Sequence, residues 1–394
     1  MTDAVILGAV RTAIGSFSGA FRDVPAVDLG ATAVAEALRR ADVAPEEVDE
    51  VVLGNILSAG AGQNVARQAA LRAGVPEDVP AMSVNQLCGS GLRSVGLAAQ
   101  AVGAGAAEVV VAGGTENMTR APYLLERARS GYRLGDATIV DSLLRDGLWC
   151  AITDVHMGTT AENIASEFEV SREDQDRFAA TSQRRAAEAA ESGRFGDEIV
   201  PVEVPQRRGA PLRVDRDEFP RPDTTEEVLA GLRPAFAPEG TVTAGNASGI
   251  NDGAAAVVVT TPERAARAGV EPLGVVRGFA SAGVPPRIMG MGPVKAVPRA
   301  LAAAGLEMSD IGLVELNEAF AAQSLAVMRA LGLDPEITNV NGGAIALGHP
   351  VGASGARVLV TLLHEMARRD VRYGLASLCV GGGQGVAMVV ERPV

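Results

Sequence analysis

The chain carries one α/β pattern twice, and that repetition limits its architecture more than any other feature. Ala37-Leu38 leads through an acidic turn to Val51-Val52-Leu53-Gly54-Asn55, and Ala300-Leu301 leads through a similar turn to Leu313-Val314-Glu315-Leu316-Asn317. Val84-Asn85 precedes Cys88-Gly89-Ser90-Gly91 and a helix-like run, as Val340-Asn341 precedes His349-Pro350-Val351-Gly352-Ala353-Ser354-Gly355 and another. Val109-Val110-Val111-Ala112-Gly113-Gly114 is echoed by Leu378-Cys379-Val380-Gly381-Gly382-Gly383. Any two α/β units share short echoes, but three in the same order point to duplication. A duplicated fold brings corresponding loops together at one cleft.

Local patterning fills in the first copy. Ala4–Ala9, Val48–Leu53, Ala81–Val84 and Glu108–Ala112 read as strands, with helices over Val27–Ala41, Gln63–Ala73 and Ser90–Val102 between them. Such alternation predicts a mostly parallel sheet covered on both faces. Residues 121–245 are richer in charge, Pro and irregular stretches, with helices near Thr160–Phe168 and Arg172–Ser192, and the α/β texture returns from Gly253. The division expected is a core domain over 1–120 completed by about 246–270, an inserted loop domain over 121–245 and a second core domain over 271–394.

Composition removes several classes of function. A net charge of −13 leaves no basic face for a nucleic acid or an anionic membrane. Lys295 is the only lysine, and no GxxxxGK[ST] run precedes it. Gly60-Ala61-Gly62-Gln63-Asn64-Val65 misses the dinucleotide fingerprint at its last position, and there is no GxSxG elbow. His and Cys are too scattered for a metal site, so no metal is expected. Cys88, Cys150 and Cys379 are too few for a disulfide framework and suit a reducing compartment. The N-terminus reads as a strand rather than a signal peptide, and no apolar run approaches the ~20 residues of a membrane span. A soluble, cytoplasmic protein is expected.

The residues able to do chemistry sit in the repeated turns. Cys88 falls between a short strand and a helix, where the helix dipole would lower its pKa, although a free Cys is as often a small buried hydrophobe. Cys379 runs into Gly381-Gly382-Gly383, a turn able to aim N–H groups at an oxyanion, or else is a core Cys at a strand end. His349 lies in the glycine-dense Asn341–Pro350 loop, and a His beside a thiol is a standard way to activate it. Asn317 stands at the start of a helix, where the local sequence favours reading it as the N-cap, with Glu318 an ordinary first-turn acid.

Asn85-Gln86-Leu87-Cys88-Gly89-Ser90-Gly91, Asn317-Glu318-Ala319-Phe320, Asn341–Pro350, Cys379–Gly383 and Gly245–Ala254 together resemble the thiolase family, in its order and over essentially the whole chain. The resemblance implies two βαβαβαββ domains packed as a five-layered αβαβα core, with a loop domain over coenzyme A and a homotetramer built as a dimer of dimers. It implies Cys88 as the acyl-accepting nucleophile, His349 as its activator and Cys379 as acid/base on the substrate α-carbon. Asn317 would hold a water that, with His349, stabilises the enolate, and the N–H groups of Cys88 and Gly381 would form a second oxyanion hole. It places Ser248, His156, Met157, Leu148, Arg221, Ala244, Phe236, Ala319, Phe320 and Met289 around the substrate and CoA. No cofactor is implied, since coenzyme A thioesters are the substrates.

Within the family, Val155–Asn163 resembles the short-chain type, which interconverts two acetyl-CoA with acetoacetyl-CoA and CoA; Cys150-Ala151-Ile152-Thr153-Asp154 departs from that type, leaving Cys150 structural or incidental. The alternatives are a longer-chain 3-ketoacyl-CoA thiolase of fatty-acid breakdown and a non-catalytic acyl-CoA-binding relative. A decarboxylating condensing enzyme is disfavoured by Cys379, since those relatives usually carry His there.

Overall fold

A computed structural model of the chain describes residues 2–393. In the first half, strands β1 (Val5–Thr12), β2 (Glu50–Gly54), β3 (Ala81–Val84), β4 (Val109–Asn117) and β5 (Asn251–Thr260) lie in the order β3-β2-β4-β5-β1. β3, β2 and β4 pair in parallel, and β5 runs antiparallel to β4 and β1. In the second half, β6 (Gly274–Gly283), β7 (Leu313–Leu316), β8 (Tyr373–Val380) and β9 (Gln384–Glu391) take the order β7-β8-β9-β6 with the same directions. A parallel bridge from Val314 to Thr338 occupies the place of the missing fifth strand. A short pairing of Val5 with Val275 and Ile6 with Gly274 joins the two sheets edge to edge.

Helices α1 (Ala26–Arg40), α2 (Val65–Arg72) and α3 (Ser90–Gly103) belong to the first half. The intervening segment contributes α4 (Met157–Glu167) and α5 (Arg172–Glu191), and the second half α6 (Gly292–Ala304), α7 (Ala321–Leu331) and α8 (Ser354–Arg369). Side chains alternate across each strand, so one strand feeds two cores. Val109, Val111 and Val258 point outward to α1 and α2, whereas Val110, Ala112 and Val259 point inward to α3 and α8. In the second half Val386, Met388 and Val390 point inward, whereas Ala387 and Val389 face α6 and α7. The result is five layers, α–β–α–β–α, with α3 and α8 together in the middle.

The two halves are built with the same joints. A Cβ on Gly8 of β1 would strike the carbonyl of Ala37 in α1, and a Cβ on Gly278 of β6 would strike that of Ala300 in α6. This matches Ala37-Leu38 to Ala300-Leu301, as the sequence echo does. In the middle layer a Cβ on Gly91 would meet the backbone nitrogen of Ala356, and one on Gly355 that of Leu92. The central helices therefore touch backbone to backbone at their first turns, by reciprocal contacts. The third echo is out of register. Gly54 pairs with Gly114 and Leu316 with Ser377, each just before an Asn, so Glu116 in β4 corresponds to Cys379 in β8. The glycine-rich likeness of Val109–Gly114 to Leu378–Gly383 is coincidental.

Strands run further into polar sequence than their apolar cores suggest, because buried partners satisfy them. β1 extends through Arg11, whose guanidinium meets Glu198 at 2.6 Å and Asp217 at 2.7 Å. β4 extends to Asn117, whose side-chain amide donates to the carbonyls of Phe21 and Val24. The chain between Asn117 and Asn251 leaves the sheets except at Ile199–Val200, which pairs in parallel with β1. Among the described residues no helix is long and apolar enough to cross a membrane.

The central crossing should be intolerant of any side chain. Gly355→Val forces a side chain into the backbone of Leu92 and should cost about 1–3 kcal/mol or more. Gly196→Ala, with nothing within 4 Å of the added atom, should stay within about 0.5 kcal/mol of the parent. Chemical denaturation of the two variants measures the difference.

Candidate active site

Cys88 is held in a tight turn between β3 and α3. The Asn85 side chain accepts the N–H of Leu87, and Ser90 Oγ accepts that of Gln86 while donating to the carbonyl of Leu87. Leu87 is thereby forced to φ 45°, an unusual conformation for a branched residue. The turn presents Cys88 half-buried, immediately before the first turn of α3.

The corresponding turn before α8 presents His349. Its Nδ1 lies 2.6 Å from Ser354 Oγ, which sits 2.9 Å from the carbonyl of Pro350. A carbonyl only accepts, so the hydroxyl proton goes to Pro350 and the serine oxygen accepts from Nδ1–H. The Nε2 atom is then the bare acceptor, and it lies 3.4 Å from Asn317 Nδ2. Asn317 is not an N-cap: α7 starts at Ala321, and the Asn317 N–H donates to the carbonyl of Ser377. Its side chain is free to face His349, and its Oδ1 is buried without a partner among the described residues. Glu318 is no solvated first-turn acid either, since its buried carboxylate accepts from Ser182, Asn339 and the N–H of Ile345.

Cys88 and His349 open into a cavity of about 980 Å³. Ser248, His156, Met157, Leu148, Arg221, Ala244, Phe236, Ala319, Phe320 and Met289 all line it. Cys379, Asn317 and Gly381 stand behind its surface. Cys379 is fully buried against Met157, Met289 and Phe320, and the Gly381 N–H is near enough to the Cys88 thiol to favour its charged form. His156 caps α4 by accepting the N–H of Gly158 and stacks on Phe236 with 4.9 Å between ring centres. Arg221 lies at the mouth, its guanidinium over Phe219. Cys150 belongs to the same apolar cluster as Cys379 but is not in the cavity wall. Phe219, Pro220, Val228 and Leu232 also form wall that patterning did not single out, because they lie in irregular sequence. Ser354 was legible in principle, five residues after His349.

Residues 4–263 match the family described as thiolase, N-terminal domain, and residues 270–392 the thiolase, C-terminal domain. The chain belongs to the thiolase family. It is 59% identical over 393 residues to an Escherichia coli protein named acetyl-CoA acetyltransferase and 57% identical over 392 residues to one of the same name from Pseudomonas aeruginosa; in both cases all of each chain is covered. The crystal structure of the Bacillus anthracis acetyl-CoA acetyltransferase superposes with a TM-score of 0.98 at 46% identity, covering 100% of this chain and 99% of that one.

The electrostatics of this thiolase site run against the expectation for Cys88. Burial pushes its thiol up to about 11, although the N–H groups of Gly381 and of Cys88 itself pull the other way. Burial, helped by the charge of Arg357, pushes His349 down to about 3. Cys379 is raised well above an ordinary thiol, first by burial and then by the charge of Cys88. The site therefore rests uncharged, and the helix dipole is outweighed by loss of water around the sulfur.

Thiol alkylation follows the thiolate, so a raised pKa moves the rise in rate to higher pH. In the free protein, alkylation of Cys88 by iodoacetamide should therefore keep rising with pH beyond the range of an ordinary thiol, towards about pH 11, which peptide mapping of the alkylated cysteine across a pH series would measure; a rise complete near the ordinary thiol value would contradict the raised pKa.

Proposed function

We propose that this thiolase catalyses the reversible Claisen condensation of two acetyl-CoA to acetoacetyl-CoA and CoA, as an acetyl-CoA C-acetyltransferase working by acyl-cysteine chemistry. The observation that carries the reading is that Cys88 and His349 open into one large apolar cavity, with Asn317 beside His349 and Cys379 buried behind the wall formed by Met157, Met289 and Phe320. The names of the full-length relatives support the choice of acyl group.

In the first half-reaction the Cys88 proton passes to His349 Nε2 and the sulfur attacks the acetyl carbonyl of acetyl-CoA. The CoA carbon–sulfur bond breaks, and the departing sulfur takes a proton from Cys379. The N–H groups of Cys88 and Gly381 steady the oxyanion. In the second, the Cys379 thiolate removes an α-proton from a second acetyl-CoA. Asn317, through a bound water, and His349 face the thioester oxygen as the enolate forms. The carbanion attacks the acetyl carbon on Cys88, whose sulfur leaves and recovers its proton from His349. The scheme calls for no metal and no redox cofactor.

The cavity wall fits the rest of the substrate. Ser248 and His156 suit the pantetheine arm, with Leu148, Met157, Phe236, Ala244, Met289, Ala319 and Phe320 around the acyl and thioester end. Arg221 would lie along the adenine at the mouth. The segment 121–245 then acts as the loop domain over CoA, with core domains at 1–120 plus about 246–270 and at 271–394. Three free thiols suit the cytoplasm.

Acetyl-CoA should label Cys88, as mapped in the digested protein. Cys379→Ala should still accept the label but lose α-proton exchange and condensation. In thiolysis with free CoA, acetoacetyl-CoA should be preferred over a longer 3-ketoacyl-CoA; the reverse preference would favour a fatty-acid-breakdown thiolase.

Assembly follows from the protruding segment. Tyr123, Leu125, Leu134 and Ile139 are exposed, on and around a small hairpin that pairs Tyr123–Leu124 with Val140–Asp141. Apolar groups gathered this way call for a partner surface. We read the hairpin as the tie between two dimers. Light scattering at micromolar protein should report a tetramer, and a stable dimer would refute it.

A further inference from the structure

Superposing one half on the other in register gives the catalytic loops a counterpart on the far side of the central helices. Gly91 answers to Gly355, so Cys88 answers to Gly352. Asn55 answers to Asn317, and Glu116 to Cys379. The approach of Cys379 to Cys88 is therefore mirrored by the approach of Glu116 to Gly352. At that second place the Glu116 side chain is fully buried and accepts four hydrogen bonds. One oxygen takes the N–H of Ile56 at 3.0 Å and that of Gly352 at 3.1 Å. The other takes Asn55 Nδ2 at 2.9 Å and the N–H of Leu57 at 3.1 Å.

What those donors belong to gives the carboxylate its role. Ile56 and Leu57 form, with Val351, Met118 and Leu143, the apolar cluster against which Cys88 and Leu148 pack. Gly352 follows His349 by three residues in the tight turn that opens α8. A single side chain thus ties the wall beside the nucleophile, from one half, to the loop that carries the base, from the other. The space is closed to alternatives. A Cβ on Gly352 would collide with Glu116 Oε2. No water-facing route is open to a residue buried in this way, so the four donors have no other acceptor to turn to.

We propose that Glu116 is a positioning residue for acyl transfer, a fixed carboxylate that locks the His349 loop of one half against the Cys88 pocket of the other. The proposal rests on the acyl-transfer reading above and adds a residue to it. Glu116 does not touch substrate. It acts through the separation of Cys88 and His349, on which the proton transfer depends. A small displacement of reacting groups by a distant change can cost on the order of a hundred-fold in rate.

Glu116→Gln keeps the size of the side chain but sets an NH2 group against two of the donors. Acetoacetyl-CoA thiolysis should fall by ten- to about a hundred-fold in kcat while the KM for CoA stays at the wild-type value. Acetylation of Cys88 by acetyl-CoA in a single turnover should slow by the same factor. A purely structural role would lower the melting temperature and leave the kcat of the folded enzyme unchanged, and that result overturns the proposal. So does a loss that appears in KM alone. If Glu116→Gln does not fold, Asn55→Ala removes one donor and spares the carboxylate. It should then lower kcat in the same direction by a smaller factor, and an unchanged kcat there overturns the proposal equally. Wild-type turnover of acetoacetyl-CoA with CoA is the separate control: its absence would remove the acyl-transfer reading itself.

Discussion

The crossing of α3 and α8 is the contact on which the rest of the molecule depends. Gly91 and Gly355 let two helices meet backbone to backbone at their first turns. Every layer outside is arranged around that contact, since both sheets bury their inner faces on the same pair of helices. It also decides where chemistry can happen. Helix starts bring loose N–H groups and tight turns, and here two of them lie side by side, one ending in Cys88 and the other in the His349 loop. The strand ends beside them add Asn317 and Cys379 on one side, and Asn55 and Glu116 on the other. A wider crossing would keep the fold and separate the base from the nucleophile.

Burial at that crossing then sets the chemistry of the resting site. In water the ordinary values of a thiol and an imidazole lie only about two units apart, so passing the proton between them is mildly uphill. Here the thiol is pushed up to about 11 and the imidazole down to about 3, so neither is charged before substrate arrives. Creating the ion pair is costly in such a place, and it becomes affordable only as the N–H groups of Cys88 and Gly381 find an oxyanion to hold. The Ser354 hydroxyl matters for the same reason. By accepting a hydrogen bond from Nδ1–H it leaves Nε2 free to accept, a choice of tautomer that a buried imidazole without a partner could not hold.

Much of this was legible in the sequence, and the failures have physical causes. Ala81–Val84 is a strand with those bounds, and the helices starting near Ala26, Ser90 and Arg172 are found where periodicity and turn residues put them. All the residues assigned to the substrate by family likeness line one cavity or stand directly behind it. For the pKa of Cys88 the sequence points the wrong way, because a helix dipole is visible in local sequence and desolvation is not: the latter depends on residues such as Met118, Leu143 and Val351 that come from far along the chain. Glycines draw the third repeat into one alignment, whereas hydrogen-bond register sets it six residues away. Glu116 was invisible for a related reason. An acidic residue after Gly-Gly-Thr reads as the end of a strand, and only the folded protein gathers four donors about it.

Register also explains why a duplicated fold carries one site and not two. A second site would need a thiol at Gly352 and another at Glu116. The first is excluded as long as the second is a carboxylate, because any side chain at Gly352 collides with it. The two differences are therefore one: once the acid occupies the far loops, the glycine opposite must remain a glycine. In exchange, N–H groups that would have served a second oxyanion are committed to the Glu116 carboxyl group, which burial pushes up to about 7 against the pull of those same N–H groups. That commitment holds the two halves in one relative position at the depth of the site. It does so with four directional hydrogen bonds rather than with apolar packing, which tolerates small slips more readily. Geometry at the surviving site inherits that precision, because Cys88 and His349 sit at opposite ends of the same tie.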